Sequence, residues 1–122
     1  MLILCNIIKI AEDAYMADEA IINIVRRYLD ILNENGIRAE KAILYGSYAR
    51  GDAGEYSDID ILVLSEQFDQ DRWEKNSQLW RLTLDADMRI QPIPVGVRQF
   101  LEDDESIVIE MARREGIAIT RN

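Results

Sequence analysis

Two aspartates spaced two residues apart are the clearest candidates for chemistry in this sequence. Asp58 and Asp60 stand in residues 57–64 (SDIDILVL), an alternating run that predicts a β-strand. On a strand both side chains point the same way with Cα atoms ~6–7 Å apart, so the two carboxylates repel by about 2.5 kcal/mol at an effective dielectric near 20. A bound Mg²⁺ removes that repulsion, because it prefers oxygen ligands. A solvated edge strand shows the same alternation, so the pair alone leaves both interpretations open.

Gly46 and Ser47 form a second candidate feature upstream of the aspartates. They follow residues 41–45 (KAILY), a short β-prone run, and a brief helical turn is expected to begin at Ser47. Where a strand ends in such a turn, backbone N–H groups converge on an anion. Glycine lets the backbone approach a phosphate closely, and Ser47 adds a hydroxyl. An anion cradle beside a metal site suits a nucleoside triphosphate with its Mg²⁺.

Arg50 follows the cradle by three residues and has the charge to contact a terminal phosphate. It could equally pair with Asp52 or Glu55 as part of the loop. The sequence leaves these two roles open.

The elements that must position these residues alternate between helices and strands. Apolar spacing predicts helices over 18–35, 71–82 and 105–115, and strands over 41–45, 57–64, 85–91 and 117–120. The first helix has an apolar stripe of Ile21, Ile22, Val25, Tyr28, Leu29 and Leu32. Pro92 and Pro94 either end the third strand or confine it to a sheet edge. This order indicates a layered α/β domain with a small sheet flanked by helices.

The length of 122 residues predicts one domain, placed at 16–122. Residues 1–15 fit poorly with the pattern of the later segments. They are either an extra strand or arm, or an upstream extension of a protein whose natural start is Met16. Trp73 and Trp80 are expected in the core or at an interface rather than as platforms for base stacking.

Composition excludes several classes of function. The chain has no histidine, which removes Ser-His-Asp triads and His-ligated zinc, and Cys5 is its only cysteine, so no internal disulfide can form. With 14 basic and 23 acidic residues the net charge is −9, which opposes a broad nucleic-acid-binding surface. No apolar run approaches the ~20 residues of a membrane span, and the N-terminus does not read as a secretory signal. A cytoplasmic protein is expected.

Residues 46–51 (GSYARG) followed by 57–63 (SDIDILV) resemble the signature of the DNA polymerase beta nucleotidyltransferase superfamily, within it the minimal nucleotidyltransferases that include MntA-like antitoxins. The resemblance implies the α/β nucleotidyltransferase fold with a small mixed sheet. It also implies that Asp58, Asp60 and a third carboxylate on a neighbouring strand hold two Mg²⁺ ions. Asp87 is the expected third ligand because it lies in the alternating run, and Asp85, of the same parity, is the alternative. Gly46, Ser47 and Arg50 would bind the nucleotide.

The implied activity is Mg²⁺-dependent transfer of a nucleoside monophosphate, with AMP expected, from a nucleoside triphosphate such as ATP to a hydroxyl, releasing pyrophosphate. The chain leaves no room for an acceptor-binding domain, so a partner or a second copy is expected to supply that surface. Proteins of this group pair with a small helical HEPN-type partner in antitoxin-like modules, which makes such a partner the expected acceptor. Two alternatives stay open. One is transfer to a small cationic molecule of the aminoglycoside kind, and the other is a non-catalytic module that masks its partner by contact.

Overall fold

The computed structural model describes residues 9–10 and 18–121, which form a mixed sheet covered by helices. The strands are β1 (Lys9–Ile10), β2 (Lys41–Tyr45), β3 (Ile59–Leu64), β4 (Ile90–Val95) and β5 (Ile117–Thr120). The helices are α1 (Glu19–Glu34), α2 (Ser47–Arg50), α3 (Gln67–Gln70), α4 (Asn76–Leu82), α5 (Val97–Glu102) and α6 (Ile107–Glu115). The strand order is β1-β5-β2-β3-β4, with β2 antiparallel to both neighbours and β3 parallel to β4. The α/β fold class expected from the sequence is confirmed.

Helix α1 forms where the apolar stripe predicts it. The Asp18 side chain accepts a hydrogen bond from the Ala20 N–H at 2.9 Å and so caps the first turn, and Asn35 ends the helix. All six stripe residues are buried against the sheet. Burial of that stripe, rather than helix propensity, fixes the position of α1.

The alternation of β3 divides the core into two layers. Ile59, Ile61 and Val63 pack on the α1 side of the sheet, and Leu62 and Leu64 pack on the opposite side with α5 and α6. Asp60 has the parity of Leu62 and Leu64, so it lies at one end of the α5–α6 side. The predicted division into two faces is confirmed for residues 59–64, whereas Asp58 precedes the strand, which begins two residues later than predicted.

Strand β4 begins later than the sequence predicts. The expected strand over 85–91 is wrong at its start, because Asp87 closes a turn before the strand: its carbonyl accepts from the Ile90 N–H at 3.1 Å and its side chain from the Arg89 N–H at 2.9 Å. The strand then continues through both prolines at the edge of the sheet, where the Arg72 Nε donates to the Pro94 carbonyl at 2.7 Å. Of the two outcomes left open for the prolines, confinement to an edge is the one observed.

The helices after β3 differ from the prediction in their bounds. The helix expected over 71–82 begins at Asn76, and α3 precedes it as a separate turn. Trp73 and Trp80 are 58% and 41% exposed, so the core, one of their two expected places, is excluded, and Leu79 and Leu82 are the buried residues of α4. The expected place of the two tryptophans at an interface stays a prediction. The helix expected over 105–115 starts at Ile107.

The two described residues of the N-terminal extension, Lys9 and Ile10, form β1 and pair in parallel with β5. The other residues of the predicted extension 1–15, Cys5 among them, and Met16 lie outside the described residues. None of the helices in the described ranges is long and apolar enough to cross a membrane.

Candidate active site

Gly46 joins the two sequence features that were expected to act together. It precedes α2 with φ = 79°, a left-handed conformation that L side chains rarely adopt. A Cβ atom at this position would lie 2.5 Å from the Asp60 Oδ2. The backbone of the cradle therefore packs directly against the carboxylate at the start of β3, and only glycine fits there.

Helix α2 forms the rest of the cradle. The Gly46 carbonyl accepts hydrogen bonds from the N–H groups of Ala49 at 3.1 Å and Arg50 at 3.0 Å, which closes the helical turn predicted at Ser47. Ser47 is half-buried at the first position of this turn, next to the Gly46–Asp60 contact.

Glu115, at the end of α6, is a member of the site that sequence reasoning missed. Its Oε1 accepts from the Gly46 N–H at 2.9 Å and from the Arg50 Nη1 at 3.1 Å. Arg50 also contacts Asp52, with Nε and Oδ2 3.3 Å apart. Of the loop acids considered for Arg50, Asp52 is thus the one that pairs with it. The Gly46 N–H and the Arg50 guanidinium, which were expected to bind phosphate, thus both donate to the Glu115 carboxylate.

The electrostatics of the aspartate pair favour a cation. Burial raises the pKa of Asp60 above its ordinary value, the nearby Asp58 charge raises it further, and Arg50 partly opposes this. Tyr45 lies opposite Asp60 on β2, and burial together with the Asp60 charge raises the pKa of the Tyr45 hydroxyl to about 12. Asp60 therefore has a neutral neighbour there. The pair suits one divalent cation, which would cancel the like charges.

The structure places Asp87 in a separate ion pair. Its Oδ1 and Oδ2 accept from the Arg89 Nε and Nη2 at 3.0 and 2.8 Å, and these bonds lower the pKa of Asp87. Arg89 also donates to the Tyr48 hydroxyl at 3.1 Å. Asp85 lies in an exposed 3₁₀ turn. Across the ranges 9–10 and 18–121, no three acidic side chains form a group that could hold a metal, so the three-carboxylate set is not assembled.

The residue of β4 that stands beside Asp60 is Gln91. The parallel register pairs these two residues directly. The sequence placed Gln91 on the same face as Asp87, but the later start of β4 makes Gln91 the first residue of that face inside the strand.

A cavity of about 510 Å³ opens near the far end of β3, beside Leu64, Ser65 and Glu66. It shares no residue with the cradle or the aspartates. The close approach of Gly46 to Asp60 brings together the two motifs that the sequence predicts to act together, and neither motif lines this cavity.

Comparison with known proteins agrees with this geometry. The family model of the nucleotidyltransferase domain matches residues 25–115, which is more than half of the chain. Two Methanocaldococcus jannaschii proteins named as putative protein adenylyltransferases are similar over shorter segments. MJ1305 is 42% identical over 60 residues, covering 46% of this chain and 41% of that protein. MJ0604 is 62% identical over 29 residues, covering 24% of this chain and 29% of that protein. The matched segments thus span less than half the length of these relatives.

Two solved structures share the fold. One is a nucleotidyltransferase, named as putative, from Sulfolobus solfataricus, with a TM-score of 0.51 at 18% identity over 66% of this chain and 70% of that one. The other is a toxin–antitoxin structure with AMP-PNP, with a TM-score of 0.53 at 21% identity over 83% of this chain and 73% of that one. With the family model covering both the cradle and the aspartates, the chain belongs to the nucleotidyltransferase domain family.

Proposed function

We propose that this protein transfers AMP from ATP to a hydroxyl on a partner protein in a Mg²⁺-dependent reaction. We place this reaction in the cytoplasm, where ATP and Mg²⁺ are available. The observation that carries the proposal is the contact of Gly46 with the Asp60 carboxylate, which brings the predicted phosphate cradle next to the predicted Mg²⁺ ligands. The similarity to proteins named as protein adenylyltransferases supports a protein acceptor.

Each residue of the cradle has a defined task in this reaction. The Ser47 hydroxyl would bind a phosphate at the cradle, and the Gly46 N–H and the Arg50 guanidinium would join it after leaving the Glu115 carboxylate. Asp58 and Asp60 would hold Mg²⁺, which supplies positive charge to the triphosphate when bound. The acceptor oxygen forms a bond to the α-phosphorus, the bond from that phosphorus to the pyrophosphate oxygen breaks, and the hydroxyl proton leaves to water.

The acceptor we propose is a small helical HEPN-type protein that AMP transfer neutralises. Support comes from the motif resemblance and from the solved toxin–antitoxin relative of the same fold. The test is co-expression with such a partner, followed by purification and intact-mass measurement. We expect either a complex or a partner that has gained the mass of AMP. The absence of both would contradict the proposal.

A matched pair of variants separates chemistry from general loss of charge. Asp58→Asn removes one carboxylate of the site, whereas Asp104→Asn removes one exposed carboxylate elsewhere. With α-labelled ATP we expect label on the partner from the wild type and Asp104→Asn, and none from Asp58→Asn.

Masking of the partner by contact alone is a second candidate function. It is favoured by the ion pair that holds Asp87, because no third carboxylate joins Asp58 and Asp60 within the described ranges. Neutralisation of the partner in cells distinguishes the two functions. If Asp58→Asn protects cells as well as the wild type does, contact masking is the function and AMP transfer is not.

A further inference from the structure

The parallel register of β3 and β4 determines which side chain joins the aspartates. Asp60 pairs with Gln91, and Leu62 with Ile93 two residues further on. Paired residues of neighbouring strands project to the same face, and the packing of Leu62 and Ile93 in one cluster shows that this holds here. The Gln91 side chain therefore stands on the face that carries Asp60.

An amide at this position differs from a carboxylate in charge rather than in shape. Gln91 offers a neutral oxygen, so the site carries the two negative charges of Asp58 and Asp60 and no third. Asp87 does not add one, because Arg89 occupies both of its oxygens. Two carboxylates with a nucleotide suffice for one Mg²⁺, but a second ion would lack a charged protein ligand of its own.

We propose that Asp58, Asp60 and the Gln91 amide form a site for one divalent cation, the ion that accompanies the triphosphate. The inference rests on the proposed function for the nature of the nucleotide. It departs from the two-ion site that the family resemblance implies. This chain binds nucleotide with its cation, and Gln91 limits the site to that ion.

The test counts bound ions. Mn²⁺ serves as the probe, and its binding is measured by electron paramagnetic resonance in the presence of saturating AMP-PNP. We expect one Mn²⁺ per wild-type chain. Gln91→Glu adds the missing charge, so we expect a second ion and at least a tenfold gain in Mn²⁺ affinity. Gln70→Glu, an exposed change of the same chemistry just beyond β3, is the matched control and should behave as the wild type.

Thermal unfolding without metal provides a second measurement on the same variants. A third negative charge beside Asp58 and Asp60 should lower the melting temperature of Gln91→Glu, and Mn²⁺ should restore it. No effect on either the metal-free stability or the Mn²⁺ affinity would show that Gln91 does not face the pair, and would overturn the proposal.

Two further results bear on the assignment. Two ions on the wild type, or loss of an ion in Asp87→Asn, would also overturn it. If the wild type binds one Mn²⁺ with AMP-PNP but transfers no label from ATP to any acceptor, the proposed function fails while the one-cation site stands. If label is transferred and the wild type holds two ions, the function stands and the one-cation site fails.

Discussion

Removing the Asp60 charge should stabilise the protein when no metal is present. Asp60 is partly buried, and both burial and the neighbouring Asp58 raise its pKa, so its ionised form costs the folded state free energy at neutral pH. Asp60→Asn keeps the shape that packs against Gly46 and removes that cost. Asp58 directly precedes β3, and at the ~6–7 Å that separates alternate Cα atoms of an extended chain two unit charges repel by about 2.5 kcal/mol at an effective dielectric of 20. Because Asp58 is exposed, solvent screening reduces the expected gain to about 1 kcal/mol.

The assay is thermal unfolding at low salt in a chelator, followed by the same measurement with saturating MgATP. For a domain of this size the gain corresponds to a rise of ~3–5 °C in melting temperature, and it should shrink in high salt. The size of the gain also depends on pH. The raised pKa means that the penalty is absent at low pH, where Asp60 is protonated in both states, and develops as the pH rises past the ordinary value for aspartate. MgATP should stabilise the wild type and leave Asp60→Asn unchanged.

Asp104→Asn again controls for the change in net charge. If Asp60→Asn loses several degrees without metal while Asp104→Asn loses none, the Asp60 carboxylate is a structural acceptor. The reasoning that treats it as a cation ligand would then be refuted.

Three further predictions test other parts of the site. Together, ATP and Mg²⁺ should stabilise the wild type by ~2.7 kcal/mol when the free complex is at about 100 times its Kd, and this total should exceed the sum of the two separate effects. Calorimetry should show that Ser47→Ala weakens only the nucleotide-dependent part. Glu115→Gln should tighten MgATP binding about threefold to tenfold in titration calorimetry, because the ligand then displaces a neutral amide rather than a charged carboxylate from Arg50. Asp87→Asn should cost about 1–2 kcal/mol in denaturant unfolding at pH 7 and leave Mn²⁺ affinity unchanged. Because Arg89 lowers the pKa of Asp87, its contribution is present above the ordinary aspartate pKa and is lost as the pH falls through the lowered value, so the cost of the substitution should vanish in acid.

Each of these expectations has an opposing result. Additive shifts with ATP and Mg²⁺ would show that the cradle and the aspartates are not one site. Weaker MgATP binding in Glu115→Gln would mean that the carboxylate holds Arg50 ready for phosphate rather than competing with it. A cost for Asp87→Asn that persists at low pH would assign its role to packing.

Local patterns predicted the elements that carry the site. The apolar stripe of α1, the run that forms β2 and the alternation of β3 each depend on residues close in sequence, and the structure has them with at most small changes at the ends. The contact of Gly46 with Asp60 follows from the pairing of Tyr45 with Asp60, which a strand–turn–strand order makes accessible to prediction.

The parts that could not be predicted depend on contacts distant in sequence. Glu115 reaches Arg50 across 65 residues, and no spacing pattern signals such a pair. The start of β4 was misplaced because the ion pair of Asp87 and Arg89 closes a turn in a segment whose alternation resembles a strand. Gln91 could be assigned only once the register of the two strands was known.

The prolines of β4 determine how a second protein can meet this edge of the sheet. Residues at 91, 93 and 95 turn their backbone groups toward β3, as the bond from the Ser65 N–H to the Val95 carbonyl shows. The backbone groups of Pro92 and Pro94 therefore point away from β3, and neither proline has an N–H to donate. Arg72 already bonds the outward carbonyl of Pro94. An extended chain cannot add to the sheet along this edge, which protects the folded protein from edge-to-edge aggregation. If the proposed acceptor protein approaches from the Gln91 side, it must therefore be recognised through side chains and shape, and its hydroxyl must reach the site without the acceptor adding a strand to the sheet.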